Sequence, residues 1–539
     1  MVTMKTFKTI ATSAFAAVLL YGCGGTASIA STPVENIDSS PLKVSELTEA
    51  EAHNWGHLDL VKDTIPGMSV DKAYAELIKN KKGKKVIVAV IDSGIDIDHE
   101  DLRENVWTNE GEIPNNGIDD DKNGYVDDVH GWNFLGKGYN EQLEMVRIIV
   151  HGDKNSEDYK KANAEFDSEY EKWLARKLQY DQIYGFIKDS DDALTKHFGK
   201  ADYTKEEVKE ITTTDADLLK AKQMAMNMYA NGMDSLSGAK KEIEGYLESI
   251  NDRLNYNLNK EFSGRVTGDD PDDMSTKYYG DGNVKPVVKT ESHGTHVAGI
   301  IAAVRNNGKG ANGVANNVEI MSVRTVPNGD EYDKDVALSI RYAVDNGAKV
   351  INGSFGKSYS PHSDWVRDAI TYAAKNDVVF VHAAGNDSND VDVKDNFPDD
   401  NINGKEISDT YIRVGALAPT YGSKMVAGFS NYGKVNVDVF APGASIYSTT
   451  PENEYDTKGG TSMAAPAVAG VAALIRSYFP KLTAAQVKQI ILDSGLAINR
   501  KVIVGGDTAD IRPFADLTKS GKMVNAYNAL IMAAKMSAE

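Results

Sequence analysis

Cysteine is almost absent. Cys23 is the only one in 539 residues, so no internal disulfide can form and the rest of the chain carries no redox signal. Basic charge is also short: 59 Lys and Arg stand against 79 Asp and Glu, a formal net charge of −20. A nucleic-acid partner needs a basic face and here the excess is acidic, which argues against a phosphate backbone and suits calcium or a hydrated surrounding better. Past the N-terminus no apolar run is long enough to cross a bilayer. What is present is an ordinary globular balance, 41% hydrophobic and 26% charged, in a chain long enough for more than one domain.

The N-terminus reads as a leader. Lys5 and Lys8 precede an apolar run from Ile10 to Leu20, too short for a permanent span, so residues 1–22 are expected to be a signal peptide. Gly22 before Cys23 resembles the bacterial lipoprotein signal, in which the cysteine is lipidated and becomes the mature N-terminus. That implies a chain anchored to a membrane outside the cytoplasm; the plainer alternative is a cleaved signal with an incidental cysteine. Gly24 to about Leu47 is rich in Ser, Thr, Ala and Pro without an apolar period. Residues 23–54 are therefore expected to be a flexible tether, with the fold beginning near Trp55.

"KKVIVAVIDSG" from Lys84 is a continuous apolar run stopped by glycine, the pattern of a strand buried on both faces. Similar runs begin at Val318, Ala348, Asp377 and Thr410, and helical patterns at Asp335–Asn346 and Trp365–Lys375 lie between them. This alternation predicts an α/β fold, a parallel sheet with helices on both faces and sites at the carboxyl ends of the strands. Residues 138–283 break the pattern. Tyr159, Ala162, Phe166, Tyr170 and Trp173 recur at steps of three and four, and "TKEE" from Thr204 has capping-box spacing. An all-α subdomain is expected there, splitting the main domain into residues 55–137 and 284–539.

Three separated pieces carry chemistry. Asp92 ends the first buried strand; His293 and His296 lie three apart in "ESHGTHVAGI"; and "GGTSMAAPAVAGVAALI" leads Ser462 through glycines into a small-residue helix. A serine at a helix N-terminus has an exposed hydroxyl, and the adjacent N–H groups face any anion that forms there. Such a hydroxyl needs a histidine to take its proton and a carboxylate to fix the imidazole, roles that Asp92 and His293 can fill. The histidine pair could instead be half of a zinc site, but no third ligand is fixed by spacing. A separate metal signal is "DDDKNGYVDD", where Asp119, Asp121 and Asn123 precede Gly124 at alternate positions and Asp127 follows, the start of an EF-hand-like calcium loop lacking its final glutamate.

"VIDSGID", "HGTHVAGI" and "GTSMAAPAVAG" resemble the three active-site blocks of the subtilisin-like serine peptidases, in that family's order. The resemblance implies a subtilisin-like fold and peptide hydrolysis without a catalytic cofactor. It makes Asp92 the orienting carboxylate, His293 the acid/base, Ser462 the nucleophile and His296 a support of its helix. Asn386, in "AAGN", becomes the side-chain oxyanion donor. Ser354, Phe355 and Gly356 would pair with substrate backbone and, with Ala383, Ala384 and Gly385, wall the pocket for the side chain before the scissile bond. About two hundred residues separate Asp92 from His293, far more than the family usually carries, so the helical insertion is expected to decorate the rim. The stretch before Lys85 leaves little room for a prodomain. The rival readings are a scaffold lipoprotein that binds a protein partner through the insertion, and a metal-dependent hydrolase.

Overall fold

Valine and isoleucine stiffen the run Val86–Asp92 into a strand, β1, whose two faces enter different cores. Val86, Val88 and Val90 belong to one hydrophobic cluster, while Ala89 and Ile91 belong to another on the opposite side of the sheet. The computed structural model describes residues 31–538 apart from Asn36 and Asn80; the expected signal peptide and Cys23 lie outside the described residues. Around β1 are β2 (Gly131–Asn133), β3 (Val318–Arg324), β4 (Val350–Gly353) and β5 (Val379–Ala383). Among the described residues the sheet has nine strands, in the order Leu496–Ala497, Lys522–Met523, Val439–Pro442, Tyr411–Leu417, β5, β4, β1, β3, β2. Neighbours are parallel except the first pair.

β1 lies between β3 and β4, so the chain adds two strands, β2 and β3, on one side and then crosses to the other. A sheet that reverses its winding this way opens a crevice beyond the carboxyl ends of the strands concerned. Helices His293–Ala302 and Thr461–Tyr478 cover one face there, and Asp333–Asp345 and Ser363–Lys375 cover the other. The helical patterns expected at Asp335–Asn346 and Trp365–Lys375 thus begin two residues early, and Val336, Ile340 and Ala343 are all buried.

The tether ends earlier than expected. Val34 and Ile37 are buried in the main cluster, and Val34 exchanges main-chain hydrogen bonds with the Asn528 side chain at 2.7 and 2.9 Å. Thr48 then opens the helix Glu49–Asn54 with a capping box. Two isolated apolar residues have no period, so composition hid a segment that a distant asparagine pins.

The helical region also differs from the expected 138–283. Helices run over Glu144–His151, Glu157–Phe198, Lys205–Glu210, Ala216–Ala230 and Leu236–Asp252, with a wide turn ending at Asn257. Ala162 and Phe166 of the expected stripe pack on Met145, Val146 and Leu258 at the base, and a second small core around Leu194, Val208 and Ala225 holds the tip. Residues 258–283 return without helix and are bound to the sheet domain. Arg265 forks onto Asp335 at 3.0 Å from each terminal nitrogen, and Trp132 donates to the Tyr279 carbonyl at 2.8 Å. These anchors are single polar contacts with no sequence period.

Candidate active site

Asp92 ends β1 and is wholly buried. Its Oδ1 accepts from His293 Nδ1 at 2.6 Å and from the Ser93 amide at 2.7 Å. A carboxylate can only accept, so the Nδ1 position carries the proton and Nε2 is left to accept one. His293 opens the helix His293–Ala302. The helix start is brought against the strand end by Gly294, where a Cβ would fall 2.4 Å from the Ser93 carbonyl. Burial alone would push the His293 pKa down; the Asp92 charge and its hydrogen bond outweigh this and hold it above the ordinary value.

Glu291 and Arg324 fix the approach. Arg324 faces Asp92 in the β1–β3 register and donates from Nε to Glu291 at 2.5 Å; Glu291 also accepts from the Gly94 and Val287 amides, both at 2.8 Å. This buried pair ties the turn after Asp92 to the turn before His293. Sequence reasoning missed it, because the partners are 33 residues apart with nothing in their spacing to join them.

Ser462 is the second residue of the helix Thr461–Tyr478. Pro466 inside that helix has no N–H, so the Ser462 carbonyl loses its intrahelical partner, and Ser354 Oγ donates to it instead at 2.8 Å. In return Ser462 Oγ donates to the Ser354 carbonyl at 3.2 Å. Ser462 and His293 share no hydrogen bond here; contacts of this kind commonly tighten only when substrate is bound. Asn386 Oδ1 accepts from the Thr461 amide at 2.8 Å, which turns its NH2 outward. A Cβ at Gly460 would lie 3.5 Å from Asn386 Nδ2 and 3.6 Å from the Ser462 amide nitrogen, so the two donors flank one small space.

Ser354, Phe355 and Gly356 follow β4, and Ala383, Ala384 and Gly385 end and follow the adjacent β5. The second wall is rigid. Asn431 donates to the Ala384 carbonyl from its side chain and to the Gly385 carbonyl from its main chain, both at 2.9 Å, and Gly385 donates to Thr461 Oγ1 at 3.0 Å. Gly385 has a φ of 101°, and a Cβ there would meet Asn431 Nδ2 at 2.3 Å, so only glycine fits. Between the walls sits Asn396, which the sequence reading did not single out: its amide lies 3.1 Å from a Cβ built on Gly385 and 3.7 Å from one built on Gly356. Its Oδ1 is buried without a donor.

His296 is wholly buried, and its Nε2 donates to the Asp456 carbonyl at 3.0 Å. Burial pushes its pKa down to about 3. Its other ring nitrogen, Nδ1, is buried without a hydrogen-bond partner.

In the acidic loop two of the expected residues, Asp119 and Asp121, converge, and Glu112 joins them. Donor oxygens of Glu112, Asp119 and Asp121 lie within 4.8 Å of one another, the one such metal-capable group among the described residues. Asp127 turns away to accept from the Asn116 and Gly117 amides at 3.1 and 2.9 Å, and Asn123 Oδ1 accepts from the Tyr125 amide at 2.8 Å. Glu112, seven residues upstream of Asp119, carried no motif signal; its carboxylate wraps the loop by accepting from the Asp120 and Asp127 amides at 2.8 and 3.1 Å.

A parallel sheet with a buried carboxylate–imidazole pair and a helix-borne serine at one rim defines a hydrolase site of the subtilisin type. The Subtilase family model matches residues 83–510, and the chain belongs to that family: it is a subtilisin-like serine endopeptidase. Thermitase of Thermoactinomyces vulgaris is 40% identical over 220 residues, 40% of this chain and 70% of that protein. Subtilisin DY of Bacillus licheniformis is 39% identical over 197 residues, 36% of this chain and 67% of that protein. A solved structure of a cold adapted subtilisin-like serine proteinase aligns at 28% identity with a TM-score of 0.35, covering 46% of this chain and 76% of that one.

Proposed function

We propose that this chain cleaves protein or peptide substrates with Ser462 as nucleophile, His293 as general base and acid, and Asp92 holding the imidazole. Ser462 Oγ attacks the scissile carbonyl carbon as its proton passes to His293 Nε2, and the oxyanion is received by Asn386 Nδ2 and the Ser462 amide. The imidazolium gives its proton to the leaving amine, and water releases the acyl group by the same steps in reverse. The observation that carries the reading is the 2.6 Å bond from His293 to a fully buried Asp92, since that carboxylate can stabilise a positive imidazole only while the pair is intact. Main-chain pairing of substrate along Ser354–Gly356 reads backbone more than sequence, which favours broad specificity. Reaction with a fluorophosphonate probe tests the assignment: label is expected on Ser462 and not in His293→Ala. A folded wild type that takes no label would overturn it.

Three carboxylates with converging oxygens suit a hard cation, so Glu112, Asp119 and Asp121 would hold a structural calcium, with no part in the chemistry. Added calcium should raise the melting temperature, and Glu112→Ala should remove the rise. The leader and Cys23 support a lipid anchor outside the cytoplasm, with palmitate labelling lost in Cys23→Ala as the check. The projecting helices would then be an insertion at the rim that governs access or docks a partner.

A further inference from the structure

The cleft beside His293 extends past the triad. Asn328, Gly329 and Glu331 line it together with Phe355 and Gly356, around a volume of 340 Å³. Glu331 is 2% exposed, and its Oε1 is sealed from solvent with no donor. An unpaired buried carboxylate is costly, so its surroundings decide what it is for.

Those surroundings hold cations, but none forms an ion pair with the Glu331 carboxylate. Lys357, directly after Gly356, donates to Glu144 at 2.7 Å and lies 2.9 Å from Asp333. Arg147 pairs with Glu144 at 2.6 Å. Both cations meet Glu331 only at its main-chain carbonyl, at 2.7 and 3.2 Å. Further out, Arg265 and Lys334 are taken by Asp269 and Asp335. Glu141, Glu144, Asp330, Glu331 and Asp333 thus share Lys357, Arg147 and, near Asp330, Arg253, an excess of carboxylate at the cleft wall. Burial pushes the Glu331 carboxyl up to about 8 in spite of the Lys357 charge, as expected of an acid still lacking its counter-ion.

We propose that Glu331 is a specificity-determining residue that receives the terminal cation of a lysine or arginine side chain at one of the positions upstream of the scissile bond, on a peptide docked along Ser354–Gly356. The inference rests on the peptidase reading above. An ammonium or guanidinium supplies the missing donors and the missing charge together, which a neutral side chain cannot. Since Glu144 and Arg147 belong to the first helix of the projecting region, that region helps to set the charge of the subsite.

The test is a matched set of peptides carrying lysine, norleucine or glutamate at each of the four positions before the scissile bond, read as ratios of kcat/KM. Wild type should favour lysine over norleucine at one position by about tenfold or more, the size of one charge-assisted hydrogen bond. In Glu331→Gln the ratio should fall towards one. If that variant does not fold, the wild-type ratio decides alone, and Glu331→Asp, which withdraws the charge, should lower it. Hydrolysis without any lysine preference, or a preference that survives in Glu331→Gln, would overturn the inference while leaving the peptidase reading intact. No hydrolysis of any peptide would overturn both.

Discussion

Two long helices of this chain obey opposite rules. Thr461–Tyr478 buries sixteen of its 18 residues, is built largely from alanine, valine and glycine, and touches five parallel strands. Glu157–Phe198 buries six of its 42 and is laced along its surface by pairs such as Lys177–Asp181 and Lys188–Asp192. A helix apolar on all sides must be surrounded, whereas a charged one with a narrow stripe needs support along one edge only. The first can therefore hold a reacting group still, and the second can be long, exposed and replaceable over much of its surface. Exposed ion pairs of the second kind contribute little each.

Substitutions should separate the two regions steeply. At the start of the buried helix, Ser462→Ala should lower kcat by on the order of a million-fold, the scale on which triad members act as a unit; a loss below a hundredfold would break the assignment. The pH profile should agree. Because Asp92 holds the His293 pKa above its ordinary value, hydrolysis should decline on acidification through a midpoint above 6.5, the imidazole being protonated and unable to act as base. Next in size, Leu474→Ala inside the buried helix should cost about 2–5 kcal/mol by denaturant unfolding, and Leu178→Ala on the exposed one less than about 0.5 kcal/mol.

His296 gives a pH-dependent contrast. Its folded-state pKa is depressed to about 3, so between pH 6.5 and 3 the unfolded chain binds a proton that the folded chain refuses. Stability from this group is present above pH 6.5 and is lost as pH falls, by about 2 kcal/mol at pH 5. His296→Gln removes that dependence, so the stability gap between wild type and variant should narrow from pH 7 to pH 5; parallel curves would show that His296 is not buried as a neutral ring. The smallest effect belongs to the projection. Thr204 and Glu207 form the capping box expected from "TKEE", at 2.7 and 3.2 Å, and Thr204→Ala should cost about 1 kcal/mol, confined to the tip in hydrogen exchange.

The sheet strands were legible because burial on both faces forces an unbroken apolar run, as at β1, and the site residues because each lies in a block long enough to be distinctive. Short elements were not. Val439–Pro442 has four residues, and β2 only three, so neither builds a pattern before it ends. Glu112, Asn396, Glu291 and Glu331 were also hidden. Each owes its role to a partner or a space assembled from distant parts of the chain, and a single carboxylate or amide looks the same in sequence wherever it lands. The tether and the return segment 258–283 were misjudged for the converse reason: they look polar and unpatterned but are pinned at a few points.

The proline at position 466 has a consequence beyond helix geometry. By withholding one N–H it frees the Ser462 carbonyl for Ser354, and the two serines then hold each other through both their hydroxyls and their carbonyls. The edge on which a peptide would lie and the group that would attack it are consequently one mechanical unit. A peptide out of register on that edge would strain the same pair of bonds that sets the direction of the attacking oxygen, so a misaligned chain is penalised at the reacting atom itself.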